Sequence, residues 1–192
     1  MKRFGLKGTV RTDLGKKATK AVRVGENVPC VLYGVKNNVH FTSTVADLRK
    51  LIYSPDVFVV ELDIDGEKCN AIMKDLQFHP VSDKVLHIDF YQVTETKPVV
   101  VEIPVKLTGL AEGVKAGGKL SLEMRKLKVK GVYSEIPEHI TIDVSSLGLG
   151  KTIQVAKVEA ENLELLNAKN AVVAQVKLTR AARGAAAVAG KK

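Results

Sequence analysis

The sequence holds no long apolar run. A membrane-crossing helix needs about 20 consecutive apolar residues, and no stretch has that length, so no membrane partner is expected. Behind Met1-Lys2-Arg3 the sequence is mixed and polar. It lacks the apolar core of a secretory leader, so none is expected. Cysteine is scarce: Cys30 and Cys69 stand far apart among apolar neighbours. They form no disulfide framework and read as core thiols in a reducing, cytoplasmic compartment. Zinc-type spacings such as C-x₂-C or H-x₃-H are missing, which leaves no metal centre to expect. Ser54 and Ser82 lie in polar turns without a nucleophile elbow, so no serine nucleophile is expected.

What is present describes a globular chain. Of its 192 residues, 45% are hydrophobic and 27% charged, a balance that supports a packed core. That length suits one domain or two small ones. Net charge is +9 and unevenly spread. Residues 1–40 carry nine Lys/Arg against two acids, whereas residues 41–95 carry five against ten. Residues 96–176 are nearly balanced, and 177–192 carry five basic residues and no acid. Basic charge gathered at both ends is the footprint of a polyanion, either nucleic acid or an anionic surface. A surface charged for solubility is the plainer alternative.

Strand patterns dominate. "GLKGTVRT" (5–12) alternates apolar and polar residues, and "VPCVLYG" (28–34) is a short apolar run ended by Gly34. "VFVVELDIDG" (57–66) closes on Asp65-Gly66, a favoured hairpin turn, and 67–80 is the predicted return strand. "KVLHIDFYQV" (84–93) follows as the next strand. Two short helices are predicted. In 15–25, Ala18, Ala21 and Val22 form a stripe and Gly25 is the C′ stop. In 43–55, Thr44 and Asp47 stand at capping-box spacing, with Val45, Leu48, Leu51 and Ile52 facing the core. "TETKPVV" (94–100) marks a boundary. Beyond it, strands at 99–109, 119–132, 138–150 and 171–178, with Gly/Pro turns, predict a second β-rich domain. The expected organisation is therefore mainly β, with domains at 1–95 and 96–178 and a flexible basic tail at 179–192.

Three features invite a functional reading. On a strand, His87, Asp89 and Tyr91 share one face while Ile88 and Phe90 turn into the core. The His–Asp pair lacks a nucleophile or further ligands, with His79 and Cys69 the nearest candidates. It reads either as a structural pair or as part of a binding face. Next, "GVKAGGKL" (113–120) and "SSLGLGKT" (145–152) each miss a phosphate-loop pattern by one residue. A phosphate loop must open a helix, and strands are predicted on both sides, so nucleotide binding is the weaker reading and φ > 0 turns the stronger. Finally, Arg11, Lys16, Lys17, Lys20 and Arg23 cluster on or near the first helix. Such a helix can track phosphates, with Thr19 adding a hydroxyl and Tyr33 an exposed ring. A solvated basic helix is the plain alternative.

These residues also carry a resemblance. "RTDLGKKATKAVRVGENVPCVLYG" (11–34) and "KDLQFHPVSDKVLHIDFYQV" (74–93) resemble two signatures of a bacterial 5S rRNA-binding family, large-subunit ribosomal protein twenty-five. "GLAEGVKAGGKL" and "EIPEHITIDVSSLGLGKTIQV" are similar to the extra domain of its long form, the Ctc or general stress type. The resemblance implies an N-terminal antiparallel β-barrel with short helices that binds loop E of 5S rRNA, plus a β-rich C-terminal domain. It implies a cytoplasmic, ribosome-associated, non-catalytic protein with no cofactor and no small-molecule substrate, whose neighbours are rRNA and ribosomal proteins. The RNA-binding residues it implies are Arg11, Lys16, Lys17, Thr19, Lys20, Arg23, Tyr33, Gln77, His87 and Asp89. This sequence departs from the pattern at Ala21 and Val22, and in its basic tail. A Gly-Lys nucleotide enzyme and a protein-interaction module at 96–176 remain the alternatives from other classes.

Overall fold

The computed structural model describes residues 1–34, 38–158, 160 and 163–179. The chain forms two compact units. One holds Met1–Val99 and Val132–Ile136; the other holds Val100–Gly131 and the described residues from Pro137 on. The basic tail expected at 179–192 lies, apart from Thr179, outside the described residues.

Six strands of the first unit close into a barrel. They are β1 (Lys2–Val10), β2 (Asn27–Tyr33), β3 (Val39–Thr44), β4 (Phe58–Ile64), β5 (Glu67–Phe78) and β6 (Val85–Gln92). Their order around the barrel is β1-β3-β2-β6-β5-β4. The expected barrel is present, but it is not purely antiparallel: β1 runs parallel to β4, and β2 parallel to β6. Parallel neighbours need long connections, and the intervening strands and helices supply them. The β4–β5 hairpin turns on Asp65 and Gly66, both left-handed at φ 49° and 94°. Such a turn matches the strand twist, and Asp63 Oδ1 braces it by accepting from Gly66 N–H at 3.1 Å. Strand β3 has no counterpart in the expected elements, although its Phe41 is fully buried. Leu6, Phe41, Leu62, Ile88 and Phe90 centre the core, each no more than 2% exposed.

Helix α1 (Lys16–Val24) joins β1 to β2, and α2 (Val45–Ile52) joins β3 to β4. Thr44 caps α2: its Oγ1 accepts from Asp47 N–H at 3.2 Å and donates to Asp47 Oδ2 at 2.7 Å. Leu48 and Leu51 are buried as expected and Ile52 half-buried, but Val45 is 39% exposed. Val45 is held by its backbone instead, donating to the Glu26 carbonyl at 3.1 Å.

The second unit is β-rich. Its elements are β7 (Val99–Thr108), α3 (Glu112–Lys115), β8 (Lys119–Leu122), β9 (Lys126–Gly131), β10 (Ile140–Asp143), β11 (Thr152–Gln154), a 3₁₀ turn (Val155–Lys157), β12 (Glu164–Leu165) and β13 (Val172–Lys177). They build one sheet in the order β10-β7-β9-β12 and another in the order β11-β13-β8. The strand expected over 119–132 is two, because Glu123 and Met124 both turn their N–H groups to the Val173 carbonyl. Ala111, Val144, Leu147 and Val176 pack a small core.

Glu123 ties β8 to β13. Its Oε1 accepts from Lys177 Nζ at 2.8 Å, Ser121 Oγ at 2.7 Å and Gln175 Nε2 at 2.7 Å. Those bonds, Lys177 first, hold the carboxyl down to about 2. A carboxyl depressed in the folded state stabilises above its unfolded value and loses that stabilisation as pH falls through its folded one. The thermal midpoint of Glu123→Gln should therefore lie below that of the parent at neutral pH, with the gap closing as pH falls from about 4.5 toward 2. A gap that stays constant over that window would show that the ionised carboxylate contributes nothing.

Candidate nucleic-acid interface

The alternation expected for β6 is observed. Ile88 and Phe90 are fully buried. His87 and Asp89 stand outside, their side chains 28% and 29% exposed, with Nδ1 and Oδ1 2.7 Å apart. With its Nδ1–H donated to Asp89, a neutral His87 ring offers Nε2 as an acceptor, and a protonated ring offers it as a donor.

Neighbouring strands extend this face. Gln77 of β5 lies opposite His87, and Tyr33 of β2 opposite Tyr91. The rings of Tyr33 and Tyr91 meet edge-on, centroids 5.7 Å apart at 73°. Tyr33 is therefore half-buried, not the freely exposed ring expected. Burial, then the charges of Asp89 and Asp75, raise its pKa, so its hydroxyl stays a neutral donor. Beneath the face, burial first and Asp89 second push the Cys30 thiol up to about 12, which leaves it inert.

Two face residues escaped the sequence reading. The β5–β6 ladder shifts between Met73 and Asp75, which sets Asp75 directly opposite Asp89. Two carboxylates in opposed positions repel. Across β2, Val31 is flanked by Asp89 on one side and His40 of β3 on the other. Parity held the clue to Asp75, since it shares a strand face with Gln77.

Helix α1 runs beside this face and packs on β2. It buries no residue fully: Ala18 and Val22 are half-buried, but Ala21, expected on the same stripe, is exposed. Gly25 ends the helix, its N–H shared between the Ala21 and Val22 carbonyls, with φ at −83°. The left-handed residue is not Gly25 but Glu26, at φ 58°. Lys16, Lys17 and Lys20 are exposed. Thr19 is not: its hydroxyl donates to the Gly15 carbonyl at 2.7 Å and accepts from Arg11 Nη2 at 3.4 Å. Arg23 Nε donates to the Leu86 carbonyl at 3.0 Å. The structure thus brings Gln77, His87, Asp89 and Tyr33 onto one strand face and leaves the three lysines on the adjoining helix. Thr19, Arg11 and Arg23 each spend a donor on the protein itself, although Arg23 is exposed.

Other chemistry finds little support. Neither Gly-Lys segment opens a helix: Lys119 enters β8, and Lys151 precedes β11. Gly117 and Gly150 do have φ > 0. Gly113 instead allows close packing, since an added Cβ would lie 2.6 Å from the Gly148 carbonyl carbon. His79 uses Nδ1 to accept from Val81 and Ser82 N–H at 3.3 and 3.2 Å, shaping the β5–β6 loop. Among the described residues, no three His, Cys, Asp or Glu side chains converge as metal ligands would.

The closed barrel carries a lysine-bearing helix beside a polar strand face, and the sequence that builds it is similar to those of known proteins. The family described as Ribosomal L25p matches residues 6–90, and the C-terminal domain of ribosomal protein TL5 matches residues 98–180. The chain belongs to the ribosomal L25p family. This is a family of structural ribosomal proteins, not of enzymes. The large ribosomal subunit protein bL25 of Phocaeicola vulgatus is 60% identical over the full length of both chains. The bL25 of Bacteroides thetaiotaomicron is also 60% identical over both full lengths. The bL25 of Porphyromonas gingivalis (strain ATCC 33277) is 63% identical over 97% of this chain and 98% of its own. The L25p match contains every candidate RNA-binding residue, from Arg11 to Asp89.

Proposed function

We propose that this protein is a ribosome-associated constituent of the large subunit in the cytoplasm, and that its L25p barrel, residues 1–95, binds the loop E region of 5S rRNA. Relatives matching the full length are named as large-subunit proteins. The observation that carries the binding reading is the pairing of α1 with the β6 face. Lys16 and Lys17 fill the first turn of α1, which has no side-chain cap and no acid there. Cations at a helix N-terminus oppose its dipole, and a phosphate relieves both charges. Asp75 and Asp89, by contrast, would repel phosphate. A carboxylate accepts from base amino groups, so this face suits base edges. Regular A-form RNA hides its major-groove amino groups, cytosine N4 among them, in a deep, narrow groove. The partner is therefore an irregular segment such as loop E, read by Gln77, His87 and Asp89 while Lys16, Lys17 and Lys20 hold the backbone.

The test is binding of a loop E oligonucleotide against a fully paired duplex of equal length across a salt series. Binding of loop E alone is expected, and equal affinity for both would overturn the reading. Lys16→Ala and Lys20→Ala should each reduce the slope of log affinity on log salt by about 0.7–0.9. Unchanged slopes in both would remove α1 from the phosphate contacts.

A further inference from the structure

The Gly-Lys segment 145–152 opens no helix, yet it has a place in the second unit. Ser146, Leu147, Lys151 and Thr152 line a groove of about 630 Å³, together with Thr141–Asp143 of β10 and with Lys157. Two strand edges meet this groove. Among the described residues, β10 and β11 each end their sheet, β10 beside β7 and β11 beside β13. Backbone groups alternate sides along a strand. Val144 N–H donates to the Thr108 carbonyl at 2.9 Å, and the Ile142 carbonyl accepts from Thr108 Oγ1 at 3.5 Å. Thr141 and Asp143 therefore turn their N–H and C=O to the open edge. On β11, the Lys151 carbonyl accepts from Val176 N–H at 3.1 Å, and Val155 N–H donates to the Ala171 carbonyl at 2.9 Å. Thr152, between them, turns its backbone groups away from β13.

The charge of the groove is positive. Its ionisable side chains are Asp143, Lys151 and Lys157. Asp143 is already engaged, its Oδ1 accepting from Ser145 N–H at 2.9 Å and Ser145 Oγ–H at 2.6 Å. Among the described residues, neither lysine stands in an ion pair. Ile142 and Ile153 add apolar surface between the polar groups.

We infer that this groove docks one extended, acidic segment of another polypeptide, which adds to β10 as a strand and places its carboxylates by Lys151 and Lys157. An open edge presents N–H and C=O groups at strand spacing, and a second main chain matches them along its length. RNA has no such ladder, and two lysines beside a carboxylate neutralise few phosphates. The four residues of β10 give about 13 Å of edge. That suits a single short segment and is too little to template a growing sheet. The inference concerns the second unit and stands whether or not the barrel binds loop E.

The probe is a seven-residue peptide alternating Glu and Val, titrated into the full chain and followed by amide NMR. Saturable shifts of the Thr141 and Asp143 amides are expected, with a Kd of about 0.1–1 mM. Methylating the peptide nitrogens of one parity removes the donors along one edge of the strand. One of the two parities should bind at least about tenfold more weakly. Lys151→Glu combined with Lys157→Glu should weaken the Glu/Val peptide at least about tenfold and favour a Lys/Val peptide instead. No saturable shift at these amides up to about 5 mM peptide, equal binding of both methylated peptides and the parent peptide, or equal binding of the Glu/Val and Lys/Val peptides by the parent chain would each overturn the inference. Shifts of the same amides by single-stranded oligouridylate and not by the peptide would overturn it too, and make the groove an RNA contact.

Discussion

Phe90→Ala is expected to remove about 3–5 kcal/mol from the stability of the barrel unit. Phe90 is fully buried, and its ring centroid lies 5.7 Å from that of Phe41, itself fully buried. Its strand is fixed on both sides, with Phe90 in register with Leu32 of β2 and Met73 of β5. A cavity at that point cannot close by a strand moving inward, because each strand of a closed barrel is held by two neighbours. Most of the transfer and cavity cost is therefore retained. Set against a total of roughly 5–15 kcal/mol for a domain, the loss brings the barrel close to unfolding. Urea titration followed by circular dichroism measures it, and a cost below about 1 kcal/mol would mean that the core around Phe41 relaxes freely. Phe90 adjoins Asp89 in sequence but its side chain faces the core, so this variant should lose RNA binding only in proportion to its unfolded fraction.

Period-2 alternation made β6 legible, down to which side chains face the core. Asp65-Gly66 announced its hairpin, and Thr44 with Asp47 announced α2. Three kinds of feature were not legible, each for a physical reason. Strand β3 is short and runs straight into its helix cap, so no turn residue separates the two. The parallel pairings β1–β4 and β2–β6 are long-range, and strand patterns carry no information about direction. The bulges at Met73/Asp75 and Gln77/Phe78 depend on how β5 and β6 pair, not on either strand alone. The candidate site shared this limit. His87, Asp89 and Gln77 came from alternation and family likeness, whereas Asp75 and His40 required the register. Arg23 and Thr19 had the right chemistry for a phosphate contact, and only the fold shows that Arg23 Nε and the Thr19 hydroxyl also donate to the Leu86 and Gly15 carbonyls.

Asp89→Asn is expected to weaken loop E binding by about 1–3 kcal/mol while leaving the barrel as stable as before or more so. The sign of each effect follows from the geometry. Asp75 lies directly opposite Asp89 in the β5–β6 ladder, and opposed like charges cost about 0.2–1 kcal/mol. Removing one charge relieves that repulsion. The change also loses the charge of the His87 Nδ1 to Asp89 Oδ1 contact, 2.7 Å long but part-exposed, and exposed ion pairs contribute about 0–1 kcal/mol. The two effects nearly offset, so the thermal midpoint should not fall. RNA binding gives the sharper sign. If the face met only phosphates, deleting a negative charge would strengthen binding, most of all at low salt. If Asp89 accepts from base amino or imino groups, the asparagine puts a donor NH₂ where one acceptor oxygen stood. Affinity then falls at every salt concentration, with the slope unchanged. His87→Ala should weaken binding by a similar amount, and the double variant should lose less than the sum, since the two side chains are in contact. Tighter binding by Asp89→Asn would identify the face as a phosphate contact and move base reading elsewhere on the barrel.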